Sequence, residues 1–254
     1  MQIPKRIFYV WGYNEPKKQI VNICLENWRM MLPDYEIIEI NEKSKEWFDF
    51  DYEYENSLWF KTIYDLKMWA YVADYMRVKT LYEHGGIYLD TDVTIYKDFE
   101  PLLKDNMFAG MMINNIPELA IVGAQKNNPI LKDMYDFYQN EIWHSKEFII
   151  INILDKILKE KYGVIPNKEQ IVKTEYISLY PTEYFYPYHY GYEFKHEYIT
   201  SNTYTSHWQN ASWVKKSTLF FMTNKSRLPL PVLLKQYELF KQVEAKTGDK
   251  VKLN

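Results

Sequence analysis

The stretch "DLKMWAYVADYMRVKTLYEHGGIYLDTDV", residues 65–93, decides the reading of the fold. Residues 65–86 read as a long helix, and Gly85 suits its C-cap. "IYLD" (87–90) follows at once as a strand, rich in apolar residues. That strand then delivers Asp90 and Asp92 at its end. Two carboxylates so close together are costly unless a cation or water takes up the charge.

Side chains alternate across a strand, so Tyr88, Asp90 and Asp92 share a face if the strand continues. Residues two apart are then separated by roughly 7 Å. One small cation with bonds of about 2.1 Å would not take both carboxylates directly, unless the chain bends after Leu89. Unequal roles follow, with one aspartate as direct ligand and the other acting through water or a ligand hydroxyl. All-oxygen ligation suits Mg²⁺ or Mn²⁺, which keep positions open for phosphate oxygens. In open α/β sheets, ligands sit at the carboxyl ends of strands. D-x-D alone also fits a solvated acidic turn.

Outward from this stretch the pattern stays α/β. "RIFYVWG" (6–12) and "YEIIEI" (35–40) read as strands. Between them, apolar residues at 20, 21, 24, 25, 28 and 31 form one helical face, framed by Pro16 and Pro33. Strand, helix, strand in this order predicts parallel pairing with a right-handed crossover. Residues 43–60 are aromatic and acidic and suggest no element. Strands are expected at 107–113, 118–125, 175–181 and 204–208, and helices at 128–142 and 146–161. "LFFM" (219–222) and "LPLPVLLKQYELF" (228–240) read as a packed C-terminal helix, with membrane-surface contact as the alternative.

The bulk numbers exclude several classes. A chain of 254 residues with net charge −3 gives no electrostatic case for nucleic-acid binding. One cysteine, Cys24, excludes an internal disulfide and a Cys-rich zinc site. There is no signal-like apolar stretch at the N-terminus and no run of membrane-spanning length. A cytoplasmic location is expected, with the inner face of the membrane as the alternative site. The 24 Tyr, 13 Phe and 8 Trp suit sugar stacking, although most must serve as packing.

The segment "ADYMRVKTLYEHGGIYLDTDV" (73–93) resembles the DXD sugar-binding region of glycosyltransferase family 32. That family includes the yeast initiating α-1,6-mannosyltransferase and capsule and exopolysaccharide transferases. It is also similar to the large clostridial glucosylating toxins. "IPKRIFYVWG" resembles the family's opening segment. "CLENWRMMLPDYEI" resembles its C-x-x-S-W…P-x-Y-E segment, with Asn27 where Ser is usual. "YTSHWQNASW" resembles its late His…Ser-Trp element. The pieces run in family order from residue 3 to 213. The family's G-P segment after the middle helices is replaced by "FIIINILDKILKEKYG".

The resemblance implies a GT-A fold, a Rossmann-like central mixed sheet flanked by helices, in one domain spanning 1–254. Residues of about 1–100 would bind the nucleotide and about 101–215 the acceptor, with a helical tail over about 216–254. It implies a metal-dependent retaining transferase using Mn²⁺ or Mg²⁺. Trp11 would stack on the base. Asp74 and Arg77 would hold donor sugar and diphosphate, with Tyr88 beside them. Asp90 would contact ribose or sugar hydroxyls, and water on the metal. Asp92 would ligate the metal, joined by His207. Ser212 and Trp213 would close over the diphosphate. Asp90, Asp92 and Arg77 form the expected catalytic set.

The expected donor is a UDP-hexose, with GDP-mannose second. The expected acceptor is a glycan or lipid-linked oligosaccharide in surface polysaccharide synthesis. No side-chain nucleophile stands out, so attack of the acceptor hydroxyl from the leaving-group face is expected. The alternatives are a glucosylating effector acting on a protein, a non-catalytic nucleotide-sugar-binding module and, third, a Mg²⁺ phosphohydrolase. For the last, no acceptor aspartate or second acidic cluster is apparent.

Overall fold

The structure is a computed structural model; it describes residues 2–12, 14–188, 193–208 and 215–247. In chain order the elements are β1 (Arg6–Val10), α1 (Gln19–Met31), β2 (Glu36–Ile40), α2 (Phe50–Asn56), α3 (Leu58–Asp65), α4 (Trp69–His84), β3 (Gly86–Leu89) and β4 (Val93–Ile95). They continue as β5 (Met107–Met111), β6 (Pro117–Ala124), α5 (Pro129–Asn140), α6 (Ile150–Tyr162), β7 (Val172–Lys173) and β8 (Ser178–Tyr180). The last are α7 (Thr182–Phe185), β9 (Thr205–His207), α8 (Lys216–Asn224) and α9 (Leu230–Thr247).

Seven strands form one mixed sheet in the order β2-β1-β3-β6-β5-β8-β7. β1 runs parallel to both β2 and β3, as strand–helix–strand order predicts. Polarity then reverses, because β6 is antiparallel to both β3 and β5. One core layer packs α1, Tyr9, Leu89 and Phe108. The other packs α3–α6, Phe8, Tyr88 and Val122. β3 is buried along its whole length, which a sheet covered on both faces requires.

Two glycines set the entry into β3. Gly85 ends α4 at φ 65°, and its N–H donates to the Leu81 carbonyl. Gly86 has φ 129°, and a Cβ there would stand 2.9 Å from the Phe8 ring. Neither position admits an L side chain without displacement. This hinge turns the helix straight back into the sheet.

The sequence expectations need three adjustments. The second half of the acidic stretch 43–60 is helical, holding α2 and the first turn of α3. Ser57 caps α3 by accepting from Phe60 N–H at 3.2 Å. The helix expected from residue 65 starts at Trp69, because Lys67 takes φ 57° and separates α3 from α4. Finally, β3 stops at Leu89. The chain bends there, and β4 pairs with β9 as a separate two-stranded sheet. No helix among the described residues is long and apolar enough to cross a membrane.

Candidate active site

The bend after Leu89 replaces the extended geometry assumed above. Asp90 N–H donates to Ala120 O at 2.8 Å, and Val93 N–H donates to Asp90 O at 3.2 Å. The turn brings the two carboxylates together. β4 then pairs Val93 with His207. Ligand atoms of Asp90, Asp92 and His207 all lie within 4.8 Å of one another. The strand-based ground for excluding shared ligation therefore falls away.

His207 Nε2 stands 3.2 Å from Asp92 Oδ1 and 3.8 Å from Asp90 Oδ2. Burial works to lower the His207 pKa. The Asp92 hydrogen bond and the charges of Asp90, Asp92 and Glu118 outweigh it, and the net shift is upward. Its Nδ1 has no hydrogen-bond partner among the described residues. The proton attracted to Nε2 marks the place where a cation would bind, since a ligating imidazole must be neutral. Two carboxylates and one imidazole this close together are a donor set suited to a divalent metal ion.

α4 supplies the next layer. Asp74 and Arg77 are three apart and share a helix face. Arg77 Nη2 lies 3.1 Å from Asp74 Oδ1 and 3.0 Å from Asp90 Oδ1. Its Nη1 donates to Leu119 O at 2.7 Å, and its guanidinium sits 4.3 Å from the Tyr88 ring centre. The Arg77 side chain is only 7% exposed. The group thus ties α4, β3 and the start of β6 together. Burial pushes the Asp74 carboxyl up to about 7, and Asp90 adds to the rise while Arg77 opposes it.

Asp90 and Asp92 are therefore unequal, for a reason the strand pattern did not supply. Asp90 is shared between the buried guanidinium and the open side of the site. Asp92 is paired with His207, and its carbonyl accepts from Trp208 N–H at 3.0 Å.

Of the residues expected from sequence, Asp74, Arg77, Tyr88, Asp90, Asp92 and His207 converge. Trp11 follows β1 at the same end of the sheet, its Nε1 donating to Glu15 O at 2.9 Å. Ser212 and Trp213 lie outside the described residues. Two neighbours escaped the sequence reading. Glu118 is the second residue of β6, and its Oε1 accepts from Leu119 N–H at 2.8 Å and Ala120 N–H at 3.3 Å. Burial raises its pKa, and its charge is felt by His207, Asp90 and Arg77. Tyr186 is fully buried, accepts from Ile121 N–H at 3.1 Å, and stands edge-on to His207 at 6.2 Å. The detectable signal for Glu118 was a lone acid heading an apolar strand; Tyr186 had none.

Known proteins similar to this chain are glycosyltransferases. A stretch of 134 residues is 37% identical to inositol phosphoceramide mannosyltransferase 3 of Schizosaccharomyces pombe (strain 972 / ATCC 24843). It covers 51% of this chain and 35% of that relative, so the chain spans about a third of the relative's length. The PaToxG glycosyltransferase structure superposes with TM-score 0.51 at 17% identity, covering 64% of this chain and 70% of that one. The fold is accordingly GT-A. Residues 19–109 of this chain match the family described as a glycosyltransferase sugar-binding region containing a DXD motif.

Proposed function

We propose that the chain transfers a hexose from a nucleotide sugar to a glycan acceptor, with Mn²⁺ or Mg²⁺ held by Asp92, Asp90 and His207. The observation that carries this reading is the convergence of those three side chains within 4.8 Å at the carboxyl end of β3. When bound, the ion would act as a Lewis acid toward the charge developing on the leaving diphosphate.

The chain's own groups do the rest. Asp92 and His207 would hold the ion. Asp90 divides its carboxylate between that point and a sugar or ribose hydroxyl. Arg77, buried and committed to Asp74 and Asp90, fixes their orientation; the direct diphosphate contact expected from sequence is its lesser role. Asp74 and Tyr88 line the donor side, and Trp11 offers its face to the base. Residues of about 1–100 would hold the nucleotide and about 101–215 the acceptor. The acceptor hydroxyl would attack the anomeric carbon from the leaving-group face as the sugar–diphosphate bond breaks, and the departing phosphate would take its proton, giving retention. A UDP-hexose is the preferred donor. A mannosyltransferase relative with an inositol phosphoceramide acceptor keeps GDP-mannose, and a lipid-borne acceptor, as the second choice.

The test is a panel of nucleotide sugars with Mn²⁺, scored for nucleotide release. Asp92→Asn should lower turnover roughly 100-fold or more while the fold is kept. Unchanged turnover and metal dependence in that variant would remove the metal assignment. Tight UDP binding without release from any donor would make the chain a binding module.

A further inference from the structure

The C-terminal hairpin of α8 and α9 carries charge opposite to the rest of the chain. Residues 215–254 hold nine Lys and Arg against three Asp and Glu. The whole chain has 31 against 34 and a net charge of −3, so the first 214 residues are strongly acidic. The glycosyl-transfer site makes no use of this basic segment.

The placement of side chains on α9 is equally uneven. Leu233 and Tyr237 are buried against the body of the protein. Glu244, seven residues beyond Tyr237, lies on that side too, accepting from Lys216 N–H at 2.8 Å and bonding Ser217 Oγ. The outward ridge runs Val232, Lys235, Leu239, Val243, Lys246. Steps of three and four align these residues along one face. Val232, Leu239 and Val243 are 45%, 48% and 58% exposed, and both lysines are exposed. Neither glutamate of the helix belongs to the ridge, and Glu238 pairs with Lys241 at 3.5 Å. Leu219 on α8 is also exposed.

We propose that this ridge docks on an anionic lipid surface, with α9 lying in the plane of the headgroups. Aliphatic side chains interleaved with lysines, on a helix that cannot span, are the pattern of an interfacial helix. An acidic protein body would be repelled by such a surface, so the local excess of lysine sets the orientation. Lys216 comes nine positions after His207, so the reaction centre would lie within about 30 Å of the hairpin's start. A lipid-linked acceptor would then be within reach, but the docking itself does not depend on the proposed activity.

Co-sedimentation of the full chain with vesicles tests this. Vesicles of equal phosphatidylglycerol and phosphatidylcholine should bind at least about tenfold more tightly than phosphatidylcholine alone, and 0.5 M NaCl should erase the difference. Leu239→Glu should weaken binding to the anionic vesicles about tenfold or more. Lys235→Glu with Lys246→Glu should abolish the preference for anionic lipid. Both variants alter exposed positions, and an unchanged circular-dichroism melt would verify folding. Absence of wild-type binding, or equal binding by Leu239→Glu, would overturn the proposal. So would a dimer by light scattering that Leu239→Glu dissolves while vesicles stay unbound, since the ridge would then face a second copy.

Discussion

Glu118 brings a carboxylate to the site from β6, outside any recognisable motif. Its two acceptor contacts orient the group while tying down the strand's first amides. Those same residues give Leu119 O to Arg77 and Ala120 O to Asp90 N–H. The position is thus rigid, and we assign it to a sugar hydroxyl. Glu118→Gln keeps the shape and one acceptor but loses the charge. A hydrogen bond to a charged group contributes about 1.5–3 kcal/mol, so kcat/KM should fall about 10- to 100-fold. Steady-state kinetics with the preferred donor would check this; an unchanged kcat/KM would reduce Glu118 to a cap for its own strand. The D-x-D pair was legible because its residue types and spacing are local. Glu118 was not, because its proximity depends on how β6 pairs with β3.

At the scale of elements, one side chain joins α1 to β4. Asn27 donates to Ile95 O at 3.1 Å and accepts from Ile95 N–H at 2.7 Å. Its side-chain amide therefore imitates a neighbouring strand along the edge of β4. Trp28 Nε1 adds a bond to Val93 O at 2.7 Å. Together they clamp α1 to the short strand that carries the chain away from Asp92. Asn27→Ala should cost about 2 kcal/mol, from two bonds of about 1 kcal/mol each. It should also weaken metal affinity by displacing Asp92. Chemical denaturation and Mn²⁺ titration would read the two effects, and a fully stable variant would refute the clamp. α1 was readable from the spacing of its apolar residues, and α4 from its long uninterrupted run and the Gly85 stop. The helices α2 and α3 were not, since aromatic packing of Phe50, Tyr54, Phe60 and Tyr64 decides them.

Across the whole molecule, the parallel half of the sheet followed from strand–helix–strand order, whereas the reversal at β6 is a long-range pairing that local pattern does not encode. The attachment of the C-terminal hairpin is another such feature. Lys225 follows α8, yet it is buried, and its Nζ donates to Ile142 O, to Ser145 O at 2.6 Å and to Glu147 O at 3.4 Å. One ammonium thus collects carbonyls of the segment after α5 and fastens the tail to the body. Lys225→Met should cost about 3 kcal/mol, because buried carbonyls lose a charged donor. Hydrogen exchange should quicken in both 216–224 and 142–147. Burial also brings the Lys225 pKa down from 10.5 to about 8. Between these values the unfolded chain holds more protons than the folded one, so the stability contributed by this group rises with pH. The stability gap between wild type and Lys225→Met should therefore widen from pH 7.5 to pH 10.5. Comparing the two proteins cancels the titration of every other group. A gap that narrows over that range would mean the ammonium is not desolvated at this junction, and the tail would be held by apolar contacts such as those of Phe221, Met222, Leu233 and Tyr237.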